Sequence, residues 1–313
     1  MVEQRILQFG TIIDVSLIHN DLAKAEQALS KIEQQLAGYR ANWHAWEDSD
    51  LSRFNRSLVS LKATAIPPSL KQLIDLSHDY YLRSNRLFNP ALGKLIAAYG
   101  FHGSSEPDQA TISAIQQNMP GMLDLQIEGA RATSSNEHLQ LDFGGIAKGY
   151  AIGLIASYLQ QQGFEHYLIN AGGDLLTSGN KFGKAWRIAI QDPFKPGAIA
   201  NIELIGRHSL FTSGNYQRFY RKGNNRVHHI IDPRTGNPSA HISSATVLTI
   251  DPVLADVSAT TLMIGGLESP GPLAQSLGVG DYFIVSEDRE ILISRSLADK
   301  LEMIVDLPVR IID

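Results

Sequence analysis

The sequence contains no cysteine, and this absence removes several kinds of chemistry at once. Without thiols the chain forms no disulfide, offers no thiolate to a metal ion and has no cysteine nucleophile. It also lacks any run of about 18 apolar residues, so the sequence predicts no membrane-spanning helix. Because a chain without cysteine suits a reducing and an oxidising compartment equally well, this composition does not place the protein in the cell.

An excess of positive charge is missing too. The 313 residues include 27 lysines and arginines against 32 aspartates and glutamates, for a formal net charge of -5. Non-specific binding to nucleic acid requires clustered lysines and arginines, so we expect no nucleic-acid partner. The opening residues MVEQRILQFG lack the apolar segment of a signal peptide, so none is expected within this sequence. Hydrophobic residues make up 43%, enough for one large domain or two modest ones.

Apolar periodicity and turn residues predict an α+β chain with largely antiparallel sheet and a few covering helices. Residues 5–18 alternate as a single strand, and the helix after it is expected to end at Gly38. The aromatic-rich residues 42–55 are interpreted as irregular, and residues 139–143 (LQLDF) as a strand that leads into a helix. There is no internal repeat, linker or low-complexity tract, so we predict one domain over residues 1–313.

The turn in LDFGGIAKGYA is a candidate phosphate site. Gly144 and Gly145 allow the backbone to approach a ligand closely, and the following helix presents free N–H groups and a positive dipole end. Lys148 adds a full charge in the first turn. The spacing matches neither the dinucleotide-binding nor the nucleoside-triphosphate glycine pattern. It is equally typical of a helix packed tightly on its sheet, with Lys148 solvated.

Two other stretches carry polar residues at strand ends. In LINAGGDLLTSG we interpret Asp174 as holding the backbone of a tight turn. In VHHIIDPRTG the adjacent His228 and His229 point to opposite faces of a strand, so at most one of them faces a given cleft. Each histidine is a candidate site residue, and the alternative for each is a hydrogen-bonded structural role.

The helix in LADVSATTLMIGG is apolar except for a few residues, yet it carries Asp256 and Thr260 on one face at i and i+4. A buried carboxylate costs several kcal/mol unless it is paired or bound to a metal, and this helix has no lysine or arginine. Carboxylate and hydroxyl oxygens, with carbonyls and water, suit Mg²⁺. The alternative is that Asp256 caps a loop or pairs with a distant arginine.

Taken together, these stretches resemble the FAD:protein FMN transferases, the ApbE-like flavin transferases. The resemblance covers roughly residues 9–265, most of the chain. The matching runs, in chain order, are FGT, DSDLSRFN, LFNPALGKLIAAYGF, LDFGGIAKGYA, NAGGD, TSGNYQRFY, HHIIDPRTG and ADVSATT.

The resemblance implies an ApbE-like α+β fold with FAD in a cleft at the sheet. It also implies an enzyme that transfers FMN from FAD to a threonine hydroxyl of an acceptor flavoprotein, as a phosphoester, and releases AMP with the help of Mg²⁺. Such phosphoryl transfer depends mainly on positioning and charge neutralisation.

The resemblance assigns roles to eleven residues of this sequence. The metal ligands carry over onto Asp256, Thr260 and a backbone carbonyl at the glycine turn, placed at Gly145, and Asp256 counts as catalytic through the metal. Asp142 and Lys148 are expected beside FAD, and His229 near the pyrophosphate, where it relays a proton from the acceptor threonine. Contacts to flavin or adenine are implied for Phe9, Trp46, Leu87, Phe88 and Asn89.

Three of these positions depart from the pattern usual in the family. Phe9 stands where methionine is common, Trp46 is the nearest aromatic residue to an expected tyrosine, and Asn89 replaces an aspartate. Because these positions shape the flavin pocket, two alternatives stay open: an FAD pyrophosphatase that releases FMN and AMP, and a flavin-binding protein without turnover.

The sequence does not name the acceptor protein or the compartment. Acceptors in the family are often respiratory flavoprotein subunits, so the resemblance implies the periplasm or cell envelope. No lipobox cysteine is present to support export, and the cytoplasm stays open as the alternative.

Overall fold

The computed structural model describes residues 1–101, 107–222 and 225–313. The helices are α1 (Leu22–Trp43), α2 (Asp50–Leu58), α3 (Pro68–Arg83), α4 (Gly93–Ala98), α5 (Gln109–Gln117), α6 (Ala147–Gln161), α7 (Pro252–Gly265), α8 (Pro270–Leu277) and α9 (Arg295–Ala298). The strands are β1 (Val2–Gln8), β2 (Thr11–Ile18), β3 (Thr64–Ala65), β4 (Leu125–Glu128), β5 (Arg131–Ser134), β6 (His166–Ala171), β7 (Asp174–Ser178), β8 (Trp186–Gln191), β9 (Ala198–Leu204), β10 (His208–Gly214), β11 (Phe219–Lys222), β12 (Asn225–His228), β13 (Ile231–Asp232), β14 (Asn237–Pro238), β15 (Ile242–Thr249), β16 (Asp281–Ser286), β17 (Ile291–Ser294), β18 (Leu301–Met303) and β19 (Val309–Ile312).

The largest element of the fold is a nine-stranded sheet in the order β1-β2-β6-β7-β10-β15-β16-β17-β19. Its neighbours are antiparallel except for β17 and β19, which are parallel. Strands β18-β9-β8 and β3-β5-β4 form two smaller sheets, and β11–β12 and β13–β14 form antiparallel pairs. The predicted α+β architecture, with largely antiparallel sheet and covering helices, is confirmed.

The chain divides into two compact units, each built from separated segments. The first unit comprises Met1–Gly38, Lys148–Gly214 and His241–Asp313, and the second comprises Tyr39–Ala147 and Asn215–Ala240. The single domain predicted over residues 1–313 stays a prediction.

In the first unit, α7 packs against β10 and β15 of the large sheet. The helix begins where the Asp251 carboxylate accepts hydrogen bonds from the backbone of Val253 and Leu254, with Pro252 at the first helical position. A cluster of buried apolar side chains that includes Trp186 and Phe283 joins β8 and β9 to the large sheet.

In the second unit, α2 begins at a reciprocal cap. The Ser49 hydroxyl accepts from the backbone of Ser52, and the Ser52 hydroxyl accepts from the backbone of Ser49, both at 3.0 Å. Further along the same helix, Asn55 donates to the carbonyl of Leu141 at 2.8 Å and accepts from its N–H at 2.9 Å. This amide holds the segment that precedes the glycine turn against α2.

Two predicted elements differ at their boundaries. The single strand predicted over residues 5–18 is a hairpin of β1 and β2, because Phe9 and Gly10 have φ of 54° and 69° and form a two-residue turn. The helix predicted to end at Gly38 continues to Trp43. Glycine costs about 1 kcal/mol inside a helix, which a helix of this length tolerates.

Two further predictions were wrong. The segment interpreted as irregular contains α2, whose Ser49–Ser52 cap lacks the Glu or Gln that usually marks such a start. Residues 139–143 form no strand, since their pairing is limited to a bridge between Leu92 and Gln140. Their backbone instead bonds to Asn55 and to the carbonyl of Pro90.

Candidate active site

Asp256 lies on α7 with only 5% of its surface exposed. Its Oδ2 accepts a hydrogen bond of 2.8 Å from the backbone N–H of Gly149 on α6, and Oδ1 is not used by this bond. Burial raises the pKa of Asp256, while the charge of Lys148 and the Gly149 N–H act in the opposite direction. The helix therefore holds a carboxylate whose charged form needs a further stabilising partner.

Close approach of α6 and α7 creates this contact. A Cβ atom at Gly149 would lie 2.3 Å from the carbonyl oxygen of Pro252 and 2.9 Å from Cβ of Asp256. Only glycine leaves room for the two helices at this crossing. The backbone of α6 can therefore reach the buried carboxylate.

Thr260 lies one helical turn beyond Asp256 and is half-buried. Its hydroxyl oxygen is 3.0 Å from the hydroxyl oxygen of Ser213 on β10, and either group can be the donor. Ser213 was not predicted as a site residue, although it lies within the matching run TSGNYQRFY. The structure thus adds a second hydroxyl beside the predicted one.

Lys148, at the start of α6, forms an ion pair with Asp174 at the start of β7. The lysine side chain is 23% exposed and the aspartate side chain 3%. The other oxygen of Asp174 accepts from the backbone N–H of Thr212 at 2.8 Å. The interpretation of Asp174 as holding the backbone of its own tight turn was wrong, because it bonds the backbone of Thr212 on β10, while the Asn170 side chain accepts from Gly173 in the turn. The alternative of a solvated Lys148 is also wrong, because the pair with Asp174 orients its charge.

The first unit therefore brings together the ammonium group of Lys148, the carboxylates of Asp174 and Asp256, and the hydroxyls of Ser213 and Thr260. In the part of the chain that the structure describes, no three or more histidine, cysteine, aspartate or glutamate side chains form a group able to hold a metal. A cation bound at Asp256 would have to complete its ligands with hydroxyl, carbonyl and water oxygens. This is the ligand chemistry of Mg²⁺, so the residues present fit that ion.

Asp142, Gly144 and Gly145 form the turn that precedes α6 and belong to the second unit. The Asp142 carboxylate accepts from the Gly144 N–H at 2.8 Å, and the carbonyl of Phe143 accepts from the backbone of Ile146 and Ala147. The Asp142 side chain fixes this turn directly. The expectations that Asp142 contacts FAD and that Gly145 provides a metal ligand stay predictions.

The two adjacent histidines differ in their surroundings, as their opposite orientation predicts. His228 is buried; its Nε2 bonds to the carbonyl of Ser239 at 2.8 Å and its Nδ1 accepts from the Ile230 N–H, which is a structural role. His229 is half-buried, with Nδ1 3.3 Å from the carbonyl of Arg218. A carbonyl only accepts, so in the neutral ring Nδ1 carries the hydrogen and Nε2 the lone pair.

Four of the five predicted flavin-contacting residues lie in the second unit, and one lies in the first. In the second unit, Leu87 and Phe88 are buried, Asn89 donates to the carbonyl of Pro120 at 2.8 Å, and Trp46 is half-buried. Phe9 is at the β1–β2 turn of the first unit. Their contacts to flavin or adenine stay predictions.

Comparison with known proteins gives consistent matches along the chain. The profile of the ApbE family matches residues 9–283. A protein of Rhodobacter capsulatus named FAD:protein FMN transferase is 32% identical over 319 residues and aligns with 100% of this chain. One of the same name from Klebsiella pneumoniae is 31% identical over 293 residues, covering 89% of this chain and 82% of the relative.

Among solved structures, the flavin transferase ApbE from Vibrio cholerae superposes with a TM-score of 0.84 at 27% identity. The alignment covers 96% of this chain and 98% of that one. The chain spans 61% of the length of the Rhodobacter capsulatus relative, which is a longer protein.

Proposed function

This chain belongs to the ApbE family, and from that premise we propose that it transfers FMN from FAD to an acceptor protein. The name shared by the Rhodobacter and Klebsiella relatives supports this activity. The observation in this chain that carries the proposal is the buried carboxylate of Asp256. A fold keeps such a group at a cost in stability, which a role in holding a cation beside an anionic substrate explains.

We further propose that Asp256 and Thr260 hold Mg²⁺, with the carbonyl of Gly145 as the third ligand that the family resemblance implies. Oδ1 of Asp256 and the hydroxyl of Thr260 are hard oxygen donors on one face of α7. When bound, Mg²⁺ neutralises charge on phosphate oxygens and polarises the phosphorus centre.

The proposed reaction is a displacement at the phosphorus atom of the FMN half of FAD. The hydroxyl oxygen of the acceptor threonine forms a bond to this phosphorus, and the bond from phosphorus to the bridging pyrophosphate oxygen breaks. AMP leaves with that oxygen, and the threonine proton is released. Negative charge develops on the bridging oxygen, so a fixed cation next to it lowers the barrier.

Two residues of this chain suit these tasks. Asp174 orients the ammonium group of Lys148 at the N-terminal end of α6, where the helix dipole also favours phosphate. His229, with Nδ1 directed at the carbonyl of Arg218, has its lone pair on Nε2 and can accept the threonine proton. The carbonyl fixes the ring in the tautomer that a base requires.

A product analysis separates this proposal from its alternatives. The protein is incubated with FAD and Mg²⁺, with and without an acceptor flavoprotein, and FAD, FMN and AMP are quantified by chromatography. Transfer predicts AMP in proportion to flavin bound covalently to the acceptor. Free FMN matching AMP would indicate a pyrophosphatase, and unchanged FAD would indicate a flavin-binding protein without turnover.

A threonine acceptor and a location in the periplasm or cell envelope are also proposals, which rest on the family resemblance. In the part of the chain that the structure describes, none of the helices is long and apolar enough to cross a membrane.

A further inference from the structure

Two threonines follow one another on α7, and their hydroxyls bond to different partners. The hydroxyl of Thr261 donates to the carbonyl of Val257, four residues earlier, at 2.8 Å. A threonine inside a helix commonly satisfies its hydroxyl in this way. The corresponding acceptor for Thr260 is the carbonyl of Asp256, but among the described residues its hydroxyl bonds only to that of Ser213, at 3.0 Å. A residue outside the helix therefore determines where the Thr260 hydroxyl points.

The backbone of β10 holds Ser213 in place from both sides of the strand. On one side, Ser213 lies opposite Ala245 of β15 in an antiparallel register. On the other side, the pairing with β7 ends at Leu210. Beyond that point the carboxylate of Asp174 accepts a hydrogen bond of 2.8 Å from the backbone N–H of Thr212. The hydroxyl of Ser213 is therefore carried by a fixed segment of backbone.

One carboxylate connects this strand to the lysine of the candidate site. Asp174 forms the ion pair with Lys148 at the start of α6 and also holds the backbone of β10. The hydroxyls of Ser213 and Thr260 then join β10 to α7. All four residues belong to the first unit. The charge of Lys148 and the hydroxyl of Thr260 are therefore positioned by one connected set of contacts.

The direction of the bond between the two hydroxyls depends on what Thr260 binds. The separation of 3.0 Å allows either hydroxyl to donate. A cation is bound by a lone pair of the threonine oxygen, so it repels a hydrogen that points at this oxygen and makes the threonine's own hydrogen a better donor. With a cation present, the Thr260 hydroxyl therefore donates and the Ser213 hydroxyl accepts.

We infer that Ser213 is a positioning residue for Thr260, an assignment that rests on the proposed function, in which Asp256 and Thr260 hold Mg²⁺. Ser213 accepts the hydrogen of the Thr260 hydroxyl and keeps this hydroxyl from turning to the carbonyl of Asp256. The lone pairs of the Thr260 oxygen are then free for the cation. Hydrogen-bond partners of this kind fix the orientation of metal ligands.

The alternative is a hydroxyl pair that only joins the strand to the helix. Such a pair would contribute to the stability of the fold, and its loss would leave the affinity for Mg²⁺ unchanged. Ser213 and Thr260 are both half-buried, so water can satisfy their hydroxyls. Because the fold does not need the pair to satisfy buried polar groups, the burial of these two side chains favours the positioning role.

Mg²⁺ binding to the full chain, measured by isothermal titration calorimetry, tests the positioning role without any measurement of activity. Ser213→Ala removes the acceptor and should weaken Mg²⁺ binding about tenfold or more. Ser213→Thr keeps a hydroxyl at this position and suits a strand, so it should bind Mg²⁺ as the wild type does. The matched control is Ser209→Ala, which removes a hydroxyl bonded to the carbonyl of Ile250 on the same strand and should not change Mg²⁺ binding.

A double-mutant cycle shows whether Ser213 acts through Thr260. Thr260→Val removes the ligand hydroxyl with little change of shape and should itself weaken Mg²⁺ binding. In the Thr260→Val protein, Ser213→Ala should cause less than about a twofold further loss, because the hydroxyl that it positions is absent.

A crystal structure of metal-free Ser213→Ala provides a second readout. Without its partner on the strand, the Thr260 hydroxyl should donate to the carbonyl of Asp256, in the manner of the neighbouring Thr261. A Thr260 side chain that keeps the wild-type rotamer in this variant would show that Ser213 does not hold it.

Three calorimetric results would overturn the positioning role. If the wild type and Ser213→Ala bind Mg²⁺ equally well, Ser213 has no such role while the proposed metal site stands. If Ser213→Ala weakens Mg²⁺ binding as much in the Thr260→Val protein as in the wild type, Ser213 acts on some other group. A wild type that binds no Mg²⁺ would contradict the proposed metal site itself, and the positioning role with it.

Discussion

At the level of single residues, the candidate site depends on charges that the fold has partly removed from water. Asp256 is buried and receives one backbone hydrogen bond, and Asp174 is buried against Lys148. A buried charge lowers the free energy of unfolding unless a partner compensates it. Removing the Asp256 charge should therefore not lower stability in the absence of metal, whereas removing the Asp174 charge should lower it.

The Asp256→Asn variant distinguishes the effect of the buried carboxylate on stability from its role in binding Mg²⁺. Because burial raises the pKa of Asp256, the folded chain binds its proton more tightly than the unfolded chain does. The contribution of this group to stability therefore falls as pH rises from its ordinary pKa to the raised one, and stays low above that. In EDTA near neutral pH the asparagine variant should be as stable as the wild type or more stable.

Addition of Mg²⁺ should raise the melting temperature of the wild type but not that of Asp256→Asn, since only the wild type retains the anionic ligand. Thermal unfolding between roughly pH 4 and pH 8, with and without Mg²⁺, measures both effects. Equal stabilisation of the two proteins by Mg²⁺ would remove Asp256 from the metal site.

Asp174→Asn should destabilise the chain by about 1–3 kcal/mol, because the Lys148 ammonium group loses its buried counter-ion. The matched control is Asp75→Asn, which removes an exposed pair with Lys71 four residues away on α3. That change should cost well under about 1 kcal/mol. Urea unfolding compares the two, and similar losses would show that the Lys148–Asp174 pair contributes no more than a surface pair.

At the scale of secondary-structure elements, the crossing of α6 and α7 sets the geometry of the site. Gly149→Ala should destabilise the chain by more than about 2 kcal/mol and weaken Mg²⁺ binding, because its Cβ would overlap the backbone of Pro252. Gly38→Ala is the matched control, since a Cβ on this exposed helical residue meets nothing within 4 Å.

The control should stabilise the chain by about 0.5–1 kcal/mol through helix propensity alone. Chemical denaturation and Mg²⁺ titration of both variants test the crossing. A Gly149→Ala protein with wild-type stability and Mg²⁺ affinity would contradict the close approach of the two helices.

Elements with a local signal could be predicted from the sequence. The start of α7 follows from Asp251 and Pro252, and the burial of Asp256 follows from the apolar residues around it. The β1–β2 turn was missed because Phe9 occupies a position where asparagine is the usual signal. Residues 139–143 look like a strand in sequence, but their backbone partners are side-chain and loop groups distant in the chain.

At the scale of the whole molecule, the sequence alone could not determine how distant residues pair. Asp174 and Lys148 are separated by 26 positions, and Ser213 and Thr260 by 47, so no local pattern links them. The order of the quoted motifs indicated the family, and the family profile confirms it over residues 9–283.

The proposed attachment of FMN to an acceptor protein through the Asp256–Thr260 face can be tested by intact-mass spectrometry. An acceptor is incubated with FAD, Mg²⁺ and this protein, and its mass is measured. We expect an acceptor heavier by one FMN minus water. We expect no such product when EDTA replaces Mg²⁺, when Asp256→Asn replaces the wild type, or when alanine replaces the acceptor's target threonine. Labelling by Asp256→Asn at the wild-type rate, or an unlabelled acceptor with the wild-type protein, would contradict it.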